Sequence, residues 1–356
     1  MKYPALQPFE LILPQLDQFD TIIDVRSPSE FAEDHIPGAI NCPVLDDEER
    51  ARVGTIYKQV NAFEAKKIGA ALVARNIGRH IDALFLDKPR DWKPLIYCWR
   101  GGNRSGAMAH ILAKIGWPVI QLDGGYKDYR RYVNSALEEL PAKFTFNVVC
   151  GTTGSGKSRL LQTLAMEGAQ VLDLELLAAH RGSVLGNLPS EAQPTQKTFE
   201  SRLWQALRRF DPTQIIFVES ESKKVGNLRV PESLMEKMRS SACLSLSLST
   251  HNRVRLLMQD YAHFIANPDL LNTQLACLIG LHGREKIMRW QTMSSSNQME
   301  ALVEELLIDH YDPAYRRSID RNFAQISKAK ILELPEITEQ AFREMARSLR
   351  TAAIPA

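Results

Sequence analysis

The sequence is poor in cysteine, nearly balanced in charge and without a long apolar run. Its five cysteines, Cys42, Cys98, Cys150, Cys243 and Cys277, are scattered and form no CxxC pair. That spacing argues against a disulfide framework and against a structural zinc site, and it fits reduced thiols in a cytoplasmic protein. No stretch reaches the roughly 18 apolar residues needed to span a bilayer, so no membrane partner is expected. The first twenty residues, MKYPALQPFELILPQLDQFD, carry acids and prolines and lack the unbroken apolar core of a secretion signal. With 44 Lys and Arg against 42 Asp and Glu, no overall positive excess points to nucleic acid, although one basic face is compatible with that sum. Internal repeats and low-complexity tracts are also missing.

What is there is an ordinary globular composition, 44% hydrophobic and 24% charged, on a chain of 356 residues. That length predicts two domains. In the first part short apolar strands alternate with helical segments. TIIDV reads as a buried strand and PSEFAEDH as a short helix. IPGAINCP turns into another strand. TIYKQVNAFEAKKIGAALVARNIGRHIDALF reads as a long helical region broken near Gly78. PLIYC and PVIQLDGG are further strands, with RSGAMAHILAKIG helical between them. LEELPAKF reads as a linker, which places a boundary near Pro141 and divides the chain into 1–140 and 141–356. The second part restarts with the strand FTFNVVC, followed by AQVLDLE, QIIFVES and CLSLSLS with helices between, and is mainly helical after Thr250. MSSSNQ reads as a polar loop. Alternating strands and helices predict two α/β domains with parallel sheets.

GTTGSGKS, residues Gly151, Thr152, Thr153, Gly154, Ser155, Gly156, Lys157 and Ser158, fits G-x-x-x-x-G-K-[ST] and stands between a strand and a helix. In that setting the backbone N–H groups form an anion nest and the helix N-terminus adds positive potential. Lys157 can reach terminal phosphate oxygens, and the Ser158 hydroxyl can bind Mg²⁺. The motif specifies a diphosphate or triphosphate, not ATP and not hydrolysis. Asp173 and Glu175 end the second strand of this part, and Glu219 and Glu221 the third. Each either supports Mg²⁺ through water or only opens a solvated loop.

LIYCWRGGNRSG carries the second candidate site. Cys98 ends a strand, and Trp99, Arg100, Gly101, Gly102, Asn103 and Arg104 lead into a helix. The helix dipole, the backbone N–H groups and the two arginines would favour a thiolate, the nucleophilic form. The same cradle could hold an anionic persulfide or its selenium analogue. The alternative is a buried structural cysteine, and the flanking Arg and Gly residues argue against an apolar pocket. The other four cysteines read as structural, with Cys42 the remaining candidate for a second thiol.

IIDVRSPSEFAEDHIPGAINCP, IYCWRGGNRSG and LDGGYKDYR together resemble a rhodanese domain, a sulfurtransferase fold with an active-site cysteine loop. Asp24, Arg26, Glu30, His35, Pro37 and Gly38 fall on that domain's first motif, where such residues mostly build scaffold. A rhodanese domain followed directly by a P-loop looks like the tRNA 2-selenouridine synthases. GTIYKQVNAFEAKKIGA, DLELLAAHRGSVLG, VESESKKVG and HYDPAYRRS extend the resemblance over nearly the whole chain. It implies a rhodanese-like parallel-sheet domain, then a P-loop NTPase-like α/β domain with a helical C-terminal part. It also implies a substrate, tRNA with 2-thiouridine at the wobble position, as in lysine, glutamate and glutamine acceptors. Selenium from selenophosphate would replace the sulfur, through an S-geranyl intermediate made from geranyl diphosphate, which would give the P-loop its diphosphate. No tightly bound cofactor is implied, Mg²⁺ at Ser158 is compatible with the P-loop, and a selenophosphate-supplying enzyme is a compatible partner. Cys98 would serve selenium transfer, either carrying selenium or attacking an intermediate on the base.

Two segments interleave aromatic and basic residues as RNA surfaces do, YKDYRRYV (Tyr126 to Val133) and HYDPAYRRSIDR. Each taken alone also reads as a solvated helix face. His180 and Arg181, in HRGS, are candidates for contact with a phosphate or the base, or for a helix terminus. A flipped-out uridine must reach both chemistries, so the site is expected where the two domains face each other. Two other readings stand beside this one: a rhodanese sulfurtransferase fused to an ATP-dependent kinase-like domain, and a non-catalytic nucleotide-sensing module for a partner protein. Intact cysteine and phosphate loops disfavour the second, and the long family-specific stretches disfavour the first.

Overall fold

The computed structural model describes residues 3–182, 186 and 191–353. The chain divides into two units, Met1–Ala136 with Thr195–Gln205, and Leu137–Pro194 with Ala206–Ala356.

The first unit is a five-stranded parallel sheet. Its strands are β1 (Ala5–Gln7), β2 (Thr21–Asp24), β3 (Ala39–Asn41), β4 (Pro94–Tyr97) and β5 (Ile120–Leu122), in the order β1-β5-β4-β2-β3. All four residues of β4 are buried, as a central strand covered on both faces requires. Ile23, Val25, Ile96, Met108, Leu112 and Trp117 form the core of this unit. The helical region after β3 breaks at Val60–Asn61 and not near Gly78. Helices Asp47–Gln59 and Ala62–His80 are separated by Asn61, whose side chain caps the second by accepting from the Glu64 backbone at 2.8 Å. Gly78 lies inside the helix, where one glycine costs only about 1 kcal/mol.

Helix Gln196–Leu207 lies downstream of the P-loop in sequence, yet Thr195–Gln205 belong to the first unit. Trp204 packs among Phe9, Tyr129 and Tyr132, Ser201 bonds Asp34, and Glu200 pairs with Arg130.

The second unit holds β6 (Thr145–Cys150), β7 (Gln170–Leu172), β8 (Ile215–Glu219), β9 (Lys224–Val225), β10 (Leu228–Arg229), β11 (Ala242–Ser247) and β12 (Lys330–Glu333). Its five-stranded parallel sheet runs β12-β11-β6-β8-β7, and β9 and β10 form a small antiparallel pair. LEELPAKF is no open linker, because helix Gly125–Glu139 passes into a 3-10 turn at Leu140–Lys143 just before β6. β12 sits within a region expected to be helical; Ile331 is exposed, and only Leu332 and Leu334 bury, too short a pattern to stand out. Helix Arg284–Ser295 takes in the first half of MSSSNQ, Ser296 caps it, and Asn297 follows at φ 58°. The helical C-terminal part has its own apolar cluster around Phe264, Leu275, Trp290 and Leu302.

Candidate active site

β4 delivers Cys98 to the end of the first sheet, and helix Asn103–Ile115 begins five residues later. Gly101 and Gly102 take φ 70° and 74°, a left-handed curl that glycine adopts without strain and that brings the loop back around the sulfur. The thiol donates to the Arg100 carbonyl at 3.8 Å and accepts from the Ser105 hydroxyl at 3.3 Å. Gln121, on β5, fixes that hydroxyl and the loop together, donating to Ser105 Oγ at 3.1 Å and to the Gly102 carbonyl at 3.2 Å. Neither Ser105 nor Gln121 is among the candidate residues that the sequence marks. Ser105 lies one turn into the helix, and Gln121 is a polar residue in an otherwise apolar strand.

Two expectations about this loop need correction. Cys98 is buried and joins the apolar cluster with Ile96 and Met108, so the Arg and Gly neighbours do not keep it out of an apolar setting. Arg104 is committed to Glu30, at 2.8 Å, and Arg50 pairs with the same carboxylate at 3.1 Å. Those two cations hold Glu30 below the usual carboxylate range against the effect of its burial. Arg100 and Asn103 are exposed at the loop surface. Burial pushes the Cys42 thiol up to about 12, which suits a structural cysteine.

The rhodanese-motif residues are scaffold. Asp24 and Arg26 form a fully buried pair at 2.6 Å, and Arg26 also donates to the Asp34 carbonyl at 2.6 Å. His35 stacks on Phe31 and its Nδ1 lies 3.0 Å from the Phe31 carbonyl. Gly38 takes φ 85° in the turn into β3. YKDYRRYV turns its aromatics inward, since Tyr126, Tyr129 and Val133 are buried on one helix face. Neither Tyr126 nor Tyr129 is therefore available to stack on RNA, and only Lys127 and Arg131 of this segment are exposed.

In the second unit the phosphate loop joins β6 to helix Lys157–Met166. Lys157 Nζ folds back over the loop and donates to the Gly151 carbonyl at 2.7 Å. Its outer side is held by residues far along the chain. The Gly151 backbone donates to the Tyr315 hydroxyl at 2.7 Å. Arg253 donates to the Thr153 carbonyl at 2.9 Å and is clamped by Asp312 at 2.6 and 2.9 Å. Asp312 and Tyr315 belong to HYDPAYRRS, so those two residues serve the phosphate loop, while Arg316 and Arg317 are exposed.

The four carboxylates converge beside the loop. Ser158 donates to Glu175 at 2.9 Å, the Glu175 backbone donates to Glu219 at 2.8 Å, and Asp173 caps helix Leu174–Leu177. Gly182 leaves no room for a Cβ between Glu175 and Glu221. Burial raises all four, Glu219 well above the ordinary range and Glu221 to about 7, with their mutual repulsion adding to Glu175, Glu219 and Glu221. Among the described residues no group of three or more His, Cys, Asp or Glu is arranged to hold a metal ion. His180 is buried and its Nδ1 accepts from the Gly182 backbone at 3.0 Å, an element-terminus role, and burial lowers its pKa. Arg181 lies over the Tyr261 ring at 4.9 Å, and Ser183 falls outside the described residues.

An apolar cavity adjoins the phosphate loop. Thr153 forms part of its wall, with Leu257, Met258, Tyr261, Met299, Leu306 and Tyr311 among the others. Among the described residues that line it, only Thr153, Tyr261 and Tyr311 carry a hydroxyl, and none is charged.

A family model of the tRNA 2-selenouridine synthase AAA domain matches residues 144–272, and a rhodanese-like domain model matches residues 10–132. A tRNA 2-selenouridine synthase of Nitrosomonas europaea is 36% identical over 247 residues, which cover 67% of this chain and 63% of that protein. For the corresponding protein of Alcanivorax borkumensis the figures are 32% over 339 residues, 86% and 91%, and for that of a Sulfurovum species 32% over 352 residues, 88% and 94%. The matched stretch thus spans less than two thirds of the Nitrosomonas relative and over nine tenths of the other two. With a rhodanese-like domain carrying Cys98 ahead of a P-loop domain, and with these relatives, the chain belongs to the tRNA 2-selenouridine synthase family.

Proposed function

We propose that this protein replaces the sulfur of wobble 2-thiouridine in tRNA by selenium. Selenophosphate is the donor, Cys98 serves the transfer, and the phosphate loop binds geranyl diphosphate for an S-geranyl intermediate. The tRNAs are the lysine, glutamate and glutamine acceptors, and the reaction is cytoplasmic. In the first step the thio sulfur attacks C1 of the geranyl chain, the C1–O bond breaks, diphosphate leaves and the base gives up its N3 proton. In the second the selenium of selenophosphate attacks C2 of the base, geranylthiol leaves with a proton, and water cleaves the Se–P bond to release phosphate.

The observation that carries the choice of donor is the apolar cavity that shares Thr153 with the phosphate loop. A nucleotide would bring a base and ribose that need polar partners, whereas a prenyl chain needs apolar walls beside a diphosphate site. The cavity measures about 60 Å³. A dry cavity of about 150 Å³ accepts benzene, so a ten-carbon chain requires the walls to yield. Met258 and Met299 are unbranched and adaptable, and are the side chains suited to do so. Lys157 would neutralise the leaving diphosphate. Ser158 and Glu175 offer the oxygen ligands that Mg²⁺ prefers, and that ion would supply further neutralisation.

The test is mass spectrometry of wobble nucleosides from thio-tRNA incubated with geranyl diphosphate and selenophosphate, each omitted in turn. Geranylthiouridine is expected without selenophosphate, and selenouridine with both. Lys157→Ala should lose geranylation, and Cys98→Ser should lose selenouridine while geranylation persists. Normal geranylation by Lys157→Ala, or sulfur transfer that consumes ATP, overturns the reading.

A further inference from the structure

Four of the five tryptophans, Trp92, Trp117, Trp204 and Trp290, are 7% exposed or less, but Trp99 is 38% exposed. It follows Cys98 directly, so a large apolar ring is left in water beside the nucleophile. The ring is not loose. It stacks on Tyr126 with centroids 5.4 Å apart and planes inclined by 29°. Tyr126 is itself held in three ways. Its backbone N–H donates to the Cys98 carbonyl at 2.7 Å, its hydroxyl donates to Asp34 at 2.8 Å, and the Arg26 guanidinium lies 3.9 Å from its ring centre. Asp34 accepts a second hydroxyl, from Ser201, at 3.0 Å. The Trp99 carbonyl is fixed by the Lys127 backbone at 3.1 Å.

An exposed aromatic ring ordered in advance loses little conformational freedom when something flat settles on it. Every base offers a π-face, and single-stranded bases stack on such platforms. We propose that Trp99 is the platform on which the target pyrimidine of an RNA stacks, on the exposed side of the indole, so that the base is presented at Cys98. Tyr126 is then a positioning residue, and Asp34 and Ser201 hold it. This rests on the reading that an RNA base comes to the Cys98 loop.

The experiment measures binding, not turnover. Dissociation constants are read by fluorescence anisotropy for a labelled anticodon stem-loop with 2-thiouridine at the wobble position, and for the same stem-loop with that position abasic. The full chain, Trp99→Ala and Trp99→Phe are compared, with thermal melts as a check on folding. The unsubstituted protein should prefer the intact loop by about 5- to 150-fold, the usual worth of one base–aromatic stack. Trp99→Ala should reduce that ratio to below about 2, and Trp99→Phe should keep most of it. An unchanged ratio in Trp99→Ala overturns the platform, as does the absence of any preference in the unsubstituted protein. Cys98→Ser should keep the ratio while losing selenouridine. If it loses neither, the assignment of Cys98 fails and the platform stands on its own measurement.

Discussion

Replacing Gly125 by alanine tests how the Cys98 loop is held. Gly125 takes φ 59°, and a Cβ there would lie 2.4 Å from the Cys98 carbonyl oxygen and 3.1 Å from the Trp99 carbonyl. A left-handed residue other than glycine costs about 1–2 kcal/mol. The overlap adds to this, because backbone cannot step aside as a side chain does. Moving the Cys98 carbonyl breaks its 2.7 Å bond from the Tyr126 backbone, and a buried group left unpaired costs about 1–3 kcal/mol. The sum is about 3 kcal/mol, a fall in Tm of roughly 6–12 °C for a unit of this size. Gly38 is the control. It also takes a positive φ, 85°, but nothing lies within 4 Å of its Cβ position. Gly38→Ala should therefore show the backbone part alone, about 1 kcal/mol or roughly 2–4 °C. Calorimetry of the two variants reads the difference. Selenouridine formation should drop with Gly125→Ala, since a displacement of about 1 Å at a reacting group can cost about 100-fold. Equal melting shifts for the two variants would refute the close approach of Gly125 to the cysteine loop.

Asp312→Ala should leave the buried Arg253 guanidinium without its counter-charge, costing about 3 kcal/mol, and should weaken diphosphate binding measured by calorimetric titration, because Arg253 also holds the Thr153 carbonyl. Glu221 should make stability pH-dependent. Burial raises its carboxyl from the ordinary 4.5 to about 7, so the folded protein keeps a proton that the unfolded chain has released, and stability falls as pH rises from about 4.5 to about 7. Urea denaturation across that window checks the slope, and Glu221→Gln should reduce it, leaving the share that the raised Asp173, Glu175 and Glu219 carry in the same direction.

The two candidate sites are legible in the sequence because their signals are local. A strand, a glycine-rich loop and a helix fall within about twenty residues in each case, and the geometry follows from the backbone alone. What holds the centres in place was not legible, because it comes from far along the chain. Tyr315 reaches Gly151, Asp312 reaches Arg253, and Ser201 joins Asp34 across a gap of 167 positions. Helix Gln196–Leu207 shows the limit well. Phe199, Leu203 and Leu207 mark its buried face by their spacing, but spacing cannot say which sheet that face covers. YKDYRRYV, open in the sequence between an RNA surface and a solvated helix face, shows the same limit. Tyr126, Tyr129 and Val133 follow helical spacing, so they were as consistent with a buried stripe as with a stacking surface, and the burial of Phe9 and Trp204 beside Tyr129 decides for the stripe. That outcome changes what the Cys98 loop can use. Tyr126 is withdrawn into the core and Arg104 is spent on Glu30, so neither is offered outward. Trp99 and Arg100 remain exposed at the loop, a flat apolar surface next to a cation, which is the pairing that a base and its phosphate require.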